Sequence, residues 1–211
     1  HWSANFLLSL MEKMPSVKFV NGSKCIDHVR MIKDKAEQDL MIEASRINDK
    51  AIHEVIHQVS LGLSELEVAD KLGEIYTKYG GDGNSFDAII AYGANGANPH
   101  HENDNTCLKP GDSVIIDMGC KYKGYCSDMT RTVFYQEVSE EARKVYELVN
   151  EANEAAEAMI KPGVKLCDID KTARDIIVKA GYGKEFNHRL GHFIGKDVHE
   201  YGDVSINFDL E

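Results

Sequence analysis

Two aspartates, Asp117 and Asp128, sit in two strand-like stretches, Ser113–Met118 and 125–135, joined through Lys121-Tyr122-Lys123-Gly124. A tight turn centred on Tyr122-Lys123 sets residues whose numbers sum to 245 opposite each other, and Asp117 and Asp128 form such a pair. Opposed residues have Cβ atoms about 5 Å apart, so two carboxylates amid Val114, Ile115, Ile116 and Val133 repel unless something positive lies between them. Hard oxygen donors suit a divalent ion: manganese, magnesium, cobalt or zinc. The alternatives are a register shifted by one, which turns one Asp to solvent, or Arg131 or a lysine as the counter-charge.

Histidines extend this set. His188-Arg189-Leu190-Gly191-His192-Phe193-Ile194-Gly195 and His199-Glu200 place imidazoles among glycines that let backbone approach a site. His192 completes a donor set of two oxygens and a nitrogen with Asp117 and Asp128, the alternative being a group of surface histidines. Pro99-His100-His101 holds the matching place in the first half, with His100 99 residues before His199. Two facing imidazoles beside a metal suit proton transfer and carbonyl polarisation. His53-Glu54-Val55-Ile56-His57 also fits the H-E-x-x-H zinc helix. Its histidines lie about 140–180° from the apolar face of their helix, alongside Asp39, Arg46 and Lys50, and are expected to face solvent.

These residues need a scaffold. A short apolar helix around Phe6-Leu7-Leu8 and a strand-like Val17-Lys18-Phe19-Val20 ending at Asn21-Gly22 read as the remnant of an upstream domain plus linker, residues 1–30. The Asn21-Gly22-Ser23 sequon reads as a turn. Asp34 with Glu37 makes a capping box for a helix over 35–60, with Leu40, Ala44, Ile47, Ala51 and Val55 on one face. Ser64 with Glu67 caps a second helix that ends at Tyr79-Gly80-Gly81. Strand-like stretches follow at 86–92, Ser113–Met118 and 125–135. Ser139 opens a third helix stopped by Lys161-Pro162-Gly163, and a fourth runs from Asp168 to Ala180. Shifting the sequence by 101 lays Gly62 on Gly163, Glu67 on Asp168, Ile75 on Ile176 and Gly80 on Gly181, which implies two similar helix-helix-strand halves related by a pseudo-twofold axis.

The 211 residues, 43% hydrophobic and 28% charged, suit one globular domain with some extra sequence. A formal charge of −11 with scattered Lys and Arg argues against nucleic acid and anionic lipid as partners. No apolar run approaches the roughly 20 residues of a membrane span, and His1-Trp2-Ser3 shows neither an initiator Met nor a signal peptide. Five cysteines without a CxxC or an even framework point to reduced thiols and a cytoplasmic location.

From residue 31 to the end, the chain resembles the catalytic domain of the creatinase, prolidase, aminopeptidase P and methionine aminopeptidase superfamily. The resemblance rests on the run 86–100, on Ile116-Asp117-Met118-Gly119, on Ser127-Asp128-Met129-Thr130-Arg131-Thr132 and on 188–199. It implies an α+β pita-bread fold and the proline-directed Xaa-Pro dipeptidase or aminopeptidase branch. It also implies two divalent metal ions, manganese first with cobalt or zinc as alternatives. By this resemblance Asp117 is a terminal ligand of one metal, Asp128 bridges both and His192 binds the other. His100 and His199 hold the substrate carbonyl and the tetrahedral intermediate, as catalytic and substrate-binding residues. The partner expected is a proline-containing peptide, and the assembly a homodimer.

Two departures from the pattern stand out. Phe193 takes the place of a glycine after the ligand histidine, with the expectation that it narrows the cleft. The family's two glutamate ligands, expected after His192, are missing from a chain that ends at Glu211, 19 residues further on. By the repeat, the counterpart of the Asp117/Asp128 hairpin falls near 218–229, and neither Asp209 nor Glu211 replaces it. The second half is therefore expected to be incomplete, and this stretch alone to bind metal weakly and hydrolyse little. A non-catalytic binding module of the same fold is the rival reading.

Overall fold

The computed structural model describes residues 3–210; His1, Trp2 and Glu211 lie outside them. The helix α3 (Lys35–Ser60) follows α1 (Ala4–Lys13) and α2 (Ser23–Met31). It begins where Asp34 Oδ1 accepts the Glu37 N–H at 2.9 Å and Glu37 Oε2 accepts the Asp34 N–H at 2.8 Å. These reciprocal bonds satisfy donors that an open helix end leaves orphaned. Ser64 and Glu67 repeat the arrangement at α4 (Glu65–Lys78). The apolar stripes of both helices, including Ile47, Val55, Leu72 and Tyr76, pack on one face of an antiparallel sheet ordered β1 (Ile89–Tyr92), β2 (Ser113–Met118), β5 (Met129–Phe134).

Alternation along β2 decides what each face does. Val114, Ile116 and Met118 are fully buried beneath the helices, each worth about 1.5–3 kcal/mol on burial. Ser113, Ile115 and Asp117 fall on the opposite face. One polar group crosses the core: buried Asn48 donates to the Met118 carbonyl at 3.1 Å and accepts from the Tyr76 hydroxyl at 2.6 Å, so α3, α4 and β2 share one register.

A second helix pair follows, α5 (Glu140–Glu157) and α6 (Leu166–Lys179), around a smaller core of Ala152, Ala156, Ile169, Ala173 and Ile177. The repeat read from the sequence appears here as geometry. Both ends of α6 fall 101 residues after those of α4, and the paired glycines share a left-handed backbone: φ is 79° at Gly62 and 84° at Gly163, 89° at Gly80 and 95° at Gly181. The first helical N–H groups match as well, Glu65 donating to the Thr106 carbonyl and Leu166 to that of Leu210. The short pair β6 (Gly191–Phe193) and β7 (Glu200–Val204) closes the described chain.

The hairpin register differs from the expectation. The turn centres on Lys123-Gly124, with φ of 47° and 82°, because this tight turn requires positive φ at both central residues and glycine supplies the second at no steric cost. Paired residues therefore sum to 247: Asp117 faces Thr130, and Asp128 is diagonal to Asp117, not opposite it. The stretch 125–135 also divides into β4 (Tyr125–Cys126) and β5, with Ser127-Asp128 at the break, and β3 (Lys121–Tyr122) pairs with β4. Residues 17–20 find no partner strand, and α2 occupies the end of the stretch read as linker, with its apolar Ile26 and Val29 exposed. Asn21 does form a turn, its side chain accepting the Ser23 N–H at 2.9 Å. The fourth helix begins at Leu166, earlier than expected, because the Leu210 carbonyl rather than a side chain caps it. β1 is shorter than 86–92, its pairing with β2 ending at Ile89, and Asn103 caps its free edge, accepting the Ile90 N–H at 2.8 Å and donating to the Ala88 carbonyl at 2.7 Å.

Candidate metal centre

The break at Ser127-Asp128 shapes the site. Ser127 exchanges backbone and hydroxyl bonds with Cys120, so the ladder continues past the break. The position across from Asp128 is Gly119, where a Cβ would meet Ser127 O at 2.3 Å; only glycine lets the strands close there. The Asp128 carboxylate swings toward His192, its Oδ2 lying 3.2 Å from Nε2. Asp117, on the sheet face away from the helices, accepts the Thr130 hydroxyl at 2.9 Å. The diagonal register thus keeps both carboxylates on one face, and they line a cleft of about 450 Å³ with His192, His188, Arg189 and Met41.

Electrostatics marks the cluster. Burial pushes the Asp117 carboxyl above the usual range and the Asp128 charge adds to this, while Thr130 and His192 oppose it. The hydrogen bond to Asp128 raises the His192 imidazole against its burial. His192 Nδ1 faces the Phe193 carbonyl at 3.1 Å, which leaves Nε2 as the atom pointing to Asp128 and to any cation beside it. The His199 ring stands 4.2 Å from that of His192, centroid to centroid, and its burial lowers its pKa, with the charges of His192 and Arg189 adding. Among the described residues no lysine or arginine pairs with Asp117 or Asp128; Arg131 donates instead to the Thr130 carbonyl. Two hard carboxylates and an imidazole nitrogen, without a cationic side chain between them, are donors whose chemistry suits divalent ions, although their ligand atoms do not all lie within 4.8 Å of one another.

The other candidates separate cleanly. His100 lies on the exposed turn after the 3₁₀ segment Gly93–Ala97, its N–H donating to Asn98 Oδ1, and it is not among the residues lining the cleft. His53 and His57 are exposed while Val55 between them is buried, and Glu54 is tied to Lys78 and Tyr79 at 2.7 and 2.9 Å, so the H-E-x-x-H run forms no metal site. Phe193 does not narrow the cleft. Its ring packs over Gly202, whose φ of 128° and missing Cβ make room for it. Glu65, His101 and Asp104 bring ligand atoms within 4.8 Å of one another. Yet buried Glu65 already accepts from the N–H of Tyr92, the Asn95 amide, the Asp104 N–H and His101 Nε2 at 2.6 Å, which identifies an anchor for the loop after β1 rather than an open cation site. Thr130, Glu65 and the cleft position of Arg189 were not singled out in the sequence; only the register and the fold reveal them.

A match to metallopeptidase family M24 spans residues 39–210, and the chain belongs to that family. It is 41% identical over 180 residues to an uncharacterized peptidase of Staphylococcus aureus (strain USA300), covering 85% of this chain and 51% of that one. Among solved structures it is similar to a prolidase from Thermococcus sibiricus, with a TM-score of 0.95, 40% identity, and coverage of 99% of this chain and 57% of that one. An X-Pro aminopeptidase from Thermotoga maritima gives a TM-score of 0.90 at 35% identity, covering 99% and 59%. The fold is the α+β pita-bread fold of these proteins, and the chain spans about half the length of the curated relatives it matches.

Proposed function

We propose that the natural protein hydrolyses the peptide bond preceding proline, as an Xaa-Pro dipeptidase or aminopeptidase dependent on two divalent metal ions, manganese foremost. The observation that carries this reading is the convergence of Asp117, Asp128 and His192 on one cleft with His199 beside them. Asp117 and Asp128 would hold the metals with His192, and bound metal would supply Lewis acidity toward the scissile carbonyl. The protein residues do the positioning. Thr130 fixes the Asp117 carboxylate, the Phe193 carbonyl orients the His192 ring, and His199 offers an imidazole where charge develops on the carbonyl oxygen. His100, on the exposed turn outside the cleft, is assigned to the substrate by the family resemblance alone. A bond before proline calls for such a site because its amide lacks the N–H that extended-substrate proteases bind.

The test uses the full natural polypeptide with Mn²⁺ and the peptides Ala-Pro, Ala-Pro-Ala and Ala-Ala. Cleavage of a proline peptide at least about tenfold faster than of Ala-Ala, abolished in Asp128→Asn, is expected. Absence of metal-dependent cleavage of both proline peptides would favour the non-catalytic binding module instead.

A further inference from the structure

Glu200 follows His199 directly, yet its carboxylate turns away from the cleft, and its side chain is only 5% exposed. Two cations from the segment ahead of α3 reach it: Arg30 at 2.6 Å to Oε1 and Lys33 at 2.9 Å to Oε2. The backbone N–H groups of Lys196 and Asp197 donate to the same Oε1, and Arg30 also bonds Asp197 Oδ2 at 2.7 Å. A Cβ at Gly195 would sit 2.7 Å from Oε1, so glycine there leaves the seat that the carboxylate occupies. His28 of α2 adds a stacked contact with Tyr201.

The gripped loop is hooked to the metal centre from its other side. The Cys126 N–H donates to the Gly195 carbonyl at 2.7 Å, two residues before Asp128. The loop 195–200 therefore spans from α2 on the outside to the Asp128 strand and the His192 strand within. A buried ion pair returns little net stability over an apolar contact of the same size, so what it supplies here is register. Removing the cations strands a buried carboxylate, which must then pull the loop toward water.

We infer that Arg30 and Lys33, acting through Glu200, are positioning residues for His199, so that the segment preceding α3 sets the placement of an imidazole beside the cleft. The consequence for turnover rests on the role proposed above for His199; the brace itself does not.

The experiment compares the full natural polypeptide with an Arg30→Met/Lys33→Met variant, an Arg30→Lys variant and Glu200→Gln. Hydrogen exchange at residues 195–200 is read without metal, and Ala-Pro turnover is read with Mn²⁺. The double variant is expected to raise exchange in that loop about tenfold while α3 stays protected. Its kcat should fall about tenfold with KM nearly unchanged, and adding Glu200→Gln should cause no further loss. Arg30→Lys, which keeps the charge, should retain both loop protection and kcat. Unchanged loop exchange in the double variant, losses that multiply on adding Glu200→Gln, or a defect in Arg30→Lys equal to that of the double variant overturns the inference. If the parent protein cleaves no proline peptide, the proposed function fails, and the exchange measurements alone decide the brace.

Discussion

At the residue scale, the roles of Asp117 and Asp128 depend on which face they share rather than on being directly opposed. A register error of two residues preserves the face, because side chains alternate with period two, and a slip of one would have turned one carboxylate to the helices. This is why the acidic pair was legible in the sequence although the turn was placed one residue early. Thr130 was not legible, since its bond to Asp117 exists only in the true register. We predict that Thr130→Val lowers Mn²⁺ affinity about tenfold with little change in fold, as loss of an orienting partner does; calorimetric titration of the metal-free protein checks this. An affinity equal to that of the parent would show that Asp117 needs no such orientation. His192 and His199 were visible as a glycine-flanked cluster, while their 4.2 Å ring contact follows from the β-bulge between His192 and Phe193, which pattern reading does not register.

Elements announce themselves by their ends. The boxes Asp34/Glu37 and Ser64/Glu67 gave α3 and α4 to the residue, because those side chains satisfy local donors and nothing distant intervenes. α6 was misplaced by two residues for the opposite reason, its first N–H being satisfied by Leu210 from far along the chain. The core polar link of Asn48 joins three elements, and Tyr76→Phe should cost about 1–3 kcal/mol by leaving the Asn48 carbonyl without its hydroxyl donor in a dry site. Urea unfolding measures it, and a change under a few tenths would mean that Asn48 repacks. The attachment of α2 to β7 carries a pH signature. Burial by itself raises the Glu200 carboxyl, but the hydrogen bonds and charges of Lys33 and Arg30 outweigh it and hold the group below its usual range. A carboxyl lowered in the folded state contributes stability that is present above the unfolded value, about 4.3, and is lost as pH falls through the folded one. Acid unfolding of the parent should therefore steepen below about pH 4 relative to Glu200→Gln, and identical acid profiles would contradict the assignment.

Over the whole molecule, α6 repeats α4 at a spacing of 101 residues and the left-handed glycines repeat with it, so the duplication was legible from matched glycine, acidic and isoleucine positions. The strands obey the repeat less well. β6 falls where a copy of β1 would, but β7 has no counterpart at that spacing, which the sequence comparison of helices could not foresee. Among the described residues no helix is long and apolar enough to cross a membrane, and all five cysteines stand free. The organisation places a carboxylate pair from the first half against histidines from the second, so the candidate centre exists only when both halves are folded together. The most direct measurement is a Mn²⁺ titration of the metal-free full natural polypeptide beside its Asp117→Asn, Asp128→Asn and His192→Ala variants. Two ions bound per chain by the parent, with affinity reduced at least about a hundredfold in Asp128→Asn and one site weakened in each of the other two, is the expected result. Binding unchanged in all three variants would show that the metal, if any, is held elsewhere.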